Sequence, residues 1–354
     1  MKILNRYFTK QLTAVFIMLM LVLTGLAWML QIMTMLKFLI SYGINLGGFL
    51  GMTVLMVPFI VSIIMPFVAF IAAIFVYNKM ISSSEITVMA ASGLSPRQIA
   101  RPALRLGLVL VLIHLVLNIW IVPSTQAKFY DTQWEMRYGL AHLKLQESAF
   151  TQMSDGLVVY VDKVSGFDLS QLMLSDTRDK NAEMEIFAEK GKLISTTRGL
   201  SIVMTGGSLQ SRGENNNLTI GTFDSFDMDM NVADRAGESV FKVRRISTYQ
   251  LLKTVLAQDS AKEHKQSISE IATRILGPLN TLILVSLCML ILLRASLLRR
   301  RASVAPAMAI AAMAGVMAAF MSASNMLASL TDLGLLAMAQ IILLIGLLTA
   351  LFKK

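Results

Sequence analysis

The groups of this 354-residue chain that could do chemistry are few and scattered: 3 histidines, 1 cysteine and 22 carboxylates. A metal-binding His-Glu-x-x-His helix and a Gly-x-Ser-x-Gly nucleophile elbow each need their groups at fixed spacing, and neither pattern occurs. His114, His142 and His264 share no neighbourhood. Asp227, Asp229, Asn231 and Glu238 occupy positions 1, 3, 5 and 12 of a calcium loop. Val232 stands where that loop needs a glycine, and alternating aspartates are equally what a half-exposed strand presents. Gly191-Lys192 is followed by Leu193, so no P-loop cradles a phosphate. The chain therefore reads as non-catalytic, with no metal and no cofactor of its own; any ATP is bound elsewhere. One carboxylate is conspicuous by isolation, and the elements around it explain why.

Those elements are membrane spans. Hydrophobic residues make up 55% of the chain and charged residues 15%, with a mean hydropathy of +0.64. A soluble domain carries about 25% charged residues. Residues 124–265 hold 17 Lys/Arg against 19 Asp/Glu, whereas the remainder holds 15 against only Glu85, Glu270 and Asp332. A pI of 9.7 thus reflects charge flanking apolar spans, not a nucleic-acid-binding face.

Charge-free stretches predict six transmembrane helices: Leu12–Leu36, a helix near Thr53–Tyr77 after a glycine-rich loop, Leu106–Ala127 ending at Pro123, Ile275–Leu293, Ala302–Thr331 and Leu333–Phe352. Lys2, Arg6, Lys10, Lys79, Arg97, Arg101, Arg105, Arg294, Arg299–Arg301, Lys353 and Lys354 all fall on one side. The positive-inside rule makes that side cytoplasmic, with both termini. The expected organisation is residues 1–123 as helices 1–3, residues 124–265 as an external β-domain with its linker, and residues 266–354 as helices 4–6. The first span is too long for a cleaved signal. Cys288 falls mid-span and reads as a packing residue.

The insert predicts short strands at Leu157–Val164, Gln171–Ser175, Met184–Ala188, Lys192–Thr197, Ser201–Thr205 and Leu218–Met230. Arg198-Gly199, Gly206-Gly207 and Glu214–Asn217 read as turns between them. Phe226, Met228 and Met230 alternate with aspartates and form a candidate apolar groove. This spacing reads as a sandwich or jelly roll. Residues 246–270 read as helical.

Between spans two and three lies Ser82-Ser83-Ser84-Glu85-Ile86-Thr87-Val88-Met89-Ala90-Ala91-Ser92-Gly93-Leu94-Ser95-Pro96. Ser82 with Glu85 reads as a capping box opening a short helix at about 82–93, and Gly93 as its end. Ser95 and Pro96 then start another helix, with Arg97, Arg101 and Arg105 on one face. Glu85 is the only acid in any predicted cytoplasmic loop. It either caps this helix or meets an arginine of a cytoplasmic partner.

The Ser84–Ser95 wording resembles the signature of the lipopolysaccharide-export permease family, the LptF/LptG proteins, and is closer to the F subunit. Three spans, a β-domain of this size and three more spans match that family's layout. The resemblance implies an inner-membrane subunit of an ATP-driven exporter that extracts lipopolysaccharide and passes it through a periplasmic β-domain towards the outer membrane. It implies a paralogous permease subunit, a cytoplasmic ABC ATPase dimer and a bitopic periplasmic jelly-roll protein as partners. It makes Glu85, with Ile86, Thr87, Met89 and Gly93, the ATPase-coupling segment, and Lys37 the counterpart of a lipid-phosphate contact.

Other residues keep two readings. Ala307, Ala311, Gly315, Ala319 and Ala323 recur every fourth residue, serving either a subunit or gate interface or packing within the chain. Glu270 and Arg274, at i and i+4, read as a periplasmic gate or as capping, with Ser267 and Glu270 in a second capping box. His114 is an intramembrane ionisable group with either a functional or a structural role. An export permease for another lipid or lipoprotein, and a membrane-anchored periplasmic sensor or scaffold, are the alternative functions.

Overall fold

A computed structural model describes residues 2–42, 46–139, 145, 147–154, 156–178, 183–196, 199–212, 218–229, 243–244, 246–256, 261–297, 304–327 and 329–352. The chain divides into two compact units. One gathers residues 1–37, 47–129 and 239–354, the other residues 38–46 and 130–238.

The helices are α1 (Lys2–Tyr42), α2 (Leu46–Val54), α3 (Val57–Ser82), α4 (Glu85–Ala91), α5 (Pro96–Val116), a π-helical turn (Leu117–Ile121) and α6 (Val122–Gly139). After the strands come α7 (Thr248–Leu256), α8 (Ala261–Leu276), α9 (Leu279–Leu297), α10 (Ala305–Met326) and α11 (Leu330–Phe352). Among the described residues five helical stretches are long and apolar enough to cross a membrane: Asn5–Leu36, Leu46–Ser82, Pro96–Gln133, Ala305–Met326 and Leu330–Leu351. The pair His264–Leu276 and Leu279–Ala295, bent by 51°, makes a sixth if the two helices form one span. The bend falls at Gly277-Pro278, where proline lacks the donor that would continue the ladder. The expected fourth span, Ile275–Leu293, therefore straddles this bend, with Ile275 and Leu276 in α8 and Leu279–Leu293 in α9.

Two further boundaries differ from expectation. The glycine-rich loop before α3 is instead α2, and Trp28 of α1 donates its indole N–H to the Thr53 carbonyl at 3.2 Å. Hydrocarbon offers backbone groups no water, so a helix satisfies them better than a loop. The third span does not stop at Pro123 but runs on into α6 through the π turn. Pro123 lacks the N–H that would bond the Ile119 carbonyl four residues back. Thr248 Oγ1 donates to that carbonyl instead, at 3.0 Å.

Helix α9 is the most enclosed part of this unit. Leu284, Val285, Cys288, Met289 and Leu292 share its core with Val68, Ala72 and Val76 of α3 and Ala103 and Leu110 of α5. In contrast, Met18, Leu21, Leu30, Leu335, Met338 and Ile342 on α1 and α11 are more than half exposed. Outward-facing apolar side chains on long spans are the pattern of a protein solvated by lipid.

The second unit is a six-stranded antiparallel sheet in the order β1–β2–β3–β4–β5–β6 (Ala149–Ser154, Leu157–Ser165, Asp168–Asp176, Glu183–Thr196, Gly199–Arg212, Leu218–Asp229). These strands form an up-and-down meander; the crossovers of a jelly roll are not among them. The segments expected as two strands, Met184–Ala188 and one starting at Lys192, are joined in the single strand β4 (Glu183–Thr196), and Gly206-Gly207 lies inside β5 instead of in a turn.

What the glycines mark is a crease. Pairing skips Asp162 against Gln171, Gln171 against Glu189, Glu189 against Gly206 and Gly206 against Asp224, one line across five strands. Gln171 and Gly206 both have positive φ there, 49° and 66°. Inward residues change phase at the line: Val161 to Val164, Leu172 to Leu169, Ala188 to Gly191, Met204 to Gly207, Phe226 to Phe223. Apolar residues from both sides of the line share one core. The crease thus folds a single meander over a common interior, as bulged corners do in orthogonal packings.

Candidate functional site

Helix α4 is held rigidly and shows one face outward. Ser84 adopts a left-handed conformation (φ 60°), so the helix starts at Glu85 rather than at a Ser82 cap, and the Ser82–Glu85 capping box does not form. Ser83 Oγ donates to Glu85 Oε1 at 2.8 Å instead, and the carboxylate sits over the positive end of the helix. At the other end Gly93 (φ 86°) completes a Schellman motif, with Leu94 N–H bonding Met89 O and Gly93 N–H bonding Ala90 O. The next helix opens at Ser95, whose N–H is accepted by the Gln98 side chain, and Pro96 is its first residue. Tyr77 OH donates to Ile99 O at 2.7 Å and locks α5 to α3.

Burial separates the loop residues into two groups. Ile86 is 4% exposed and Met89 packs beside it on the helical core. Thr87, Val88, Ala90 and Ala91 face out, and Glu85 is half-buried at their edge. Val88, which sequence reasoning passed over, is 67% exposed. Only three-dimensional packing distinguishes it from the apolar residues beside it.

Arg274 lies in a second constellation. Its Nε donates to Glu270 Oε1 at 2.9 Å, Nη1 to Ile246 O and Thr248 Oγ1, and Nη2 to Arg244 O. Arg244 stands 3.8 Å from Glu270 Oε2 and over the Phe59 ring. Ser267 and Glu270 sit inside α8, so their capping box does not form either. The pair holds the chain entering α7 against α8.

His114 belongs to a buried polar chain. Ser62 Oγ donates to Asn118 Oδ1, leaving its lone pairs for His114 Nε2–H at 3.2 Å. His114 Nδ1 then accepts from Thr281 Oγ1 at 3.3 Å. A neutral imidazole satisfies this single direction, joining α3, α5, the π turn and α9.

The remaining candidates are dispersed. Ala307, Ala311, Gly315 and Ala319 are exposed and Ala323 is partly so; a Cβ on Gly315 would meet nothing within 4 Å. Packing within this chain therefore does not account for the stripe. Lys37 lies on α1, but its side chain is outside the described residues, as is Met230. Phe226 and Met228 face the interior of the creased sheet. Of the calcium-loop residues, Asp227 lies in β6, while Asn231 and Glu238 are outside the described residues.

Five or six apolar helical stretches long enough to span, a β-domain inserted in the chain and a short anchored helix between two of the stretches are the layout of a multi-pass membrane protein. The family model described as "Lipopolysaccharide export system permease LptF/LptG" matches residues 6–354, and the chain belongs to that family. Among curated relatives, the uncharacterized protein RP871 of Rickettsia prowazekii (strain Madrid E) is 25% identical over 226 residues, 64% of this chain and 62% of its own length. The lipopolysaccharide export system permease protein LptG of Escherichia coli (strain K12) is 25% identical over 46% of this chain and 45% of its own. The permease protein LptF of the same strain is 27% identical over 42% and 41%. The chain thus spans from about two fifths to three fifths of the curated relatives it matches. Near-equal identity to both E. coli proteins does not separate the F from the G type.

Proposed function

We propose that this chain is a permease subunit of an ATP-driven lipopolysaccharide exporter in the inner membrane, and that α4 is the lever through which a separate ATPase moves it. The observation that carries the reading is α4 itself. Ile86 and Met89 anchor it to the core, while Glu85, Thr87 and Val88 are left accessible at its other face. A rigidly seated seven-residue helix transmits a push to α3 and α5, which a flexible loop would absorb. Family membership supplies the substrate class.

The physics suits this task. Exposing one dodecyl-length acyl chain to water costs about 10 kcal/mol at roughly 0.8 kcal/mol per CH₂. Such a lipid needs both an energised step and continuous shielding. The creased β-domain, with its apolar interior including Phe226 and Met228, is the shield in this reading. A paralogous permease subunit, an ABC ATPase dimer and a bitopic jelly-roll protein complete the machine.

Glu85→Lys is the test. The charge reversal is expected to abolish lipopolysaccharide export in cells and ATPase co-purification, while membrane insertion and thermal stability stay unchanged. Normal export by that variant would refute the coupling role. Export of a different lipid by the native complex, measured in reconstituted vesicles, would replace the substrate.

A further inference from the structure

Outside α4, an open cavity of about 750 Å³ lies along the first turns of α1 and reaches Arg105, midway along α5. Arg6, Lys10 and Arg105 line it, together with Thr9, Thr13 and Ile17. Arg6, Lys10, Thr13 and Ile17 follow one another at i, i+4, i+7 and i+11, so they form a single stripe along α1. Arg105 reaches the same space from a helix some ninety residues later in the chain; Arg97 and Arg101, expected beside it on the same face, do not line it.

Among the described residues no carboxylate lies within ion-pair distance of these three cations. The lining is graded: cations first, hydroxyls beside them, then Ile17 about 16 Å along the helix from Arg6 at 1.5 Å per residue. Positive-inside placement explains why cations occur at this end of the spans. It does not explain why three of them, from two helices, meet hydroxyl donors in one concavity that becomes apolar towards the hydrocarbon.

We infer that this cavity binds an anionic glycerophospholipid of the cytoplasmic leaflet, with its phosphate among Arg6, Lys10 and Arg105 and an acyl chain running past Thr13 and Ile17. A phosphate diester brings a negative charge and acceptor oxygens to the three cations, and a lipid alone among phosphates matches the apolar end. Basic pockets between spans on the cytoplasmic side commonly hold such headgroups. The inference rests on the membrane orientation and not on what the chain exports. A bound lipid there would fix the start of α1 against α5.

The test is native mass spectrometry of the full-length protein released from micelles holding equal phosphatidylglycerol and phosphatidylcholine. The native protein is expected to retain one phosphatidylglycerol in preference to phosphatidylcholine. Each cation is worth about fivefold in that preference, so Arg6→Gln/Lys10→Gln/Arg105→Gln should abolish it. Arg299→Gln/Arg300→Gln/Arg301→Gln, which removes the same charge from another segment expected to be cytoplasmic, should preserve it. If the first triple variant fails to insert, Arg105→Gln alone should lower the preference about fivefold. Equal retention of the two lipids, or equal loss in both triple variants, would overturn the proposal. Displacement by inorganic phosphate beyond that by chloride of equal ionic strength would reduce the cavity to an anion site and overturn it too.

Discussion

Arg274 is 3% exposed because its guanidinium finds four acceptors, one of them a carboxylate. Removing the carboxylate leaves a buried cation short of its counter-charge, so Glu270→Ala should cost about 3–5 kcal/mol, seen as a lowered Tm in detergent. Glu270→Gln keeps an acceptor and should cost less. In the β-domain, burial raises the pKa of Asp176, but hydrogen bonds from Arg178 and its charge outweigh this and hold the carboxyl below its ordinary 3.8. The contribution is therefore present above about pH 4 and lost as pH falls through the lowered value. Hydrogen-exchange protection factors around β3, normalised to the intrinsic rate at each pH, should fall on acidification into that range, and Asp176→Asn should remove part of the pH dependence.

At the scale of elements, the third span survives a proline because a neighbour replaces what proline omits. The π turn shifts the ladder by one residue ahead of Pro123, and Thr248 of α7 satisfies the Ile119 carbonyl. Thr248→Val keeps the shape and removes the donor. It should lower stability by about 1–3 kcal/mol, the cost of a stranded buried acceptor, with a smaller loss for Thr248→Ser. Thr248 also accepts from Arg274, so this substitution and Glu270→Ala should be non-additive in a double-mutant cycle. The α4 loop shows the same economy of parts. Gly93 has a φ of 86°, which a β-branched side chain would strain, so Gly93→Val should loosen α4 and lower export without changing Glu85.

At the scale of the molecule, the enclosed spans and the open ones divide the work. Half of the most apolar stretch of Leu46–Ser82 is buried, against 11%, 17% and 6% of the corresponding stretches of α1, α10 and α11. In the proposed assembly the open spans receive the second permease subunit, and the small-residue stripe on α10 offers it close approach. Gly315→Leu has room within this chain. It should leave the Tm of the isolated protein unchanged and reduce recovery of the paralogous subunit in a pull-down. Unchanged recovery would place the stripe against lipid.

The spans, the β insert and the isolation of Glu85 were legible from one sequence because each follows from local composition. Hydrocarbon demands about twenty uncharged residues, half-buried strands alternate, and a lone acid among thirteen cations needs no fold to be noticed. Proline and glycine misled where distant partners took over their local meaning. Pro123 read as a stop until Thr248 supplied the missing bond, and Gly206-Gly207 read as a turn although four neighbouring strands crease along the same line. Likewise Ser82 and Ser267 had the spacing of caps, but the helices began elsewhere. Which of Ile86, Val88 and Met89 faces outward, and which arginine of α5 reaches the cavity beside α1, depended on contacts between residues far apart in sequence. Composition fixes what must be buried; only the tertiary structure decides against what.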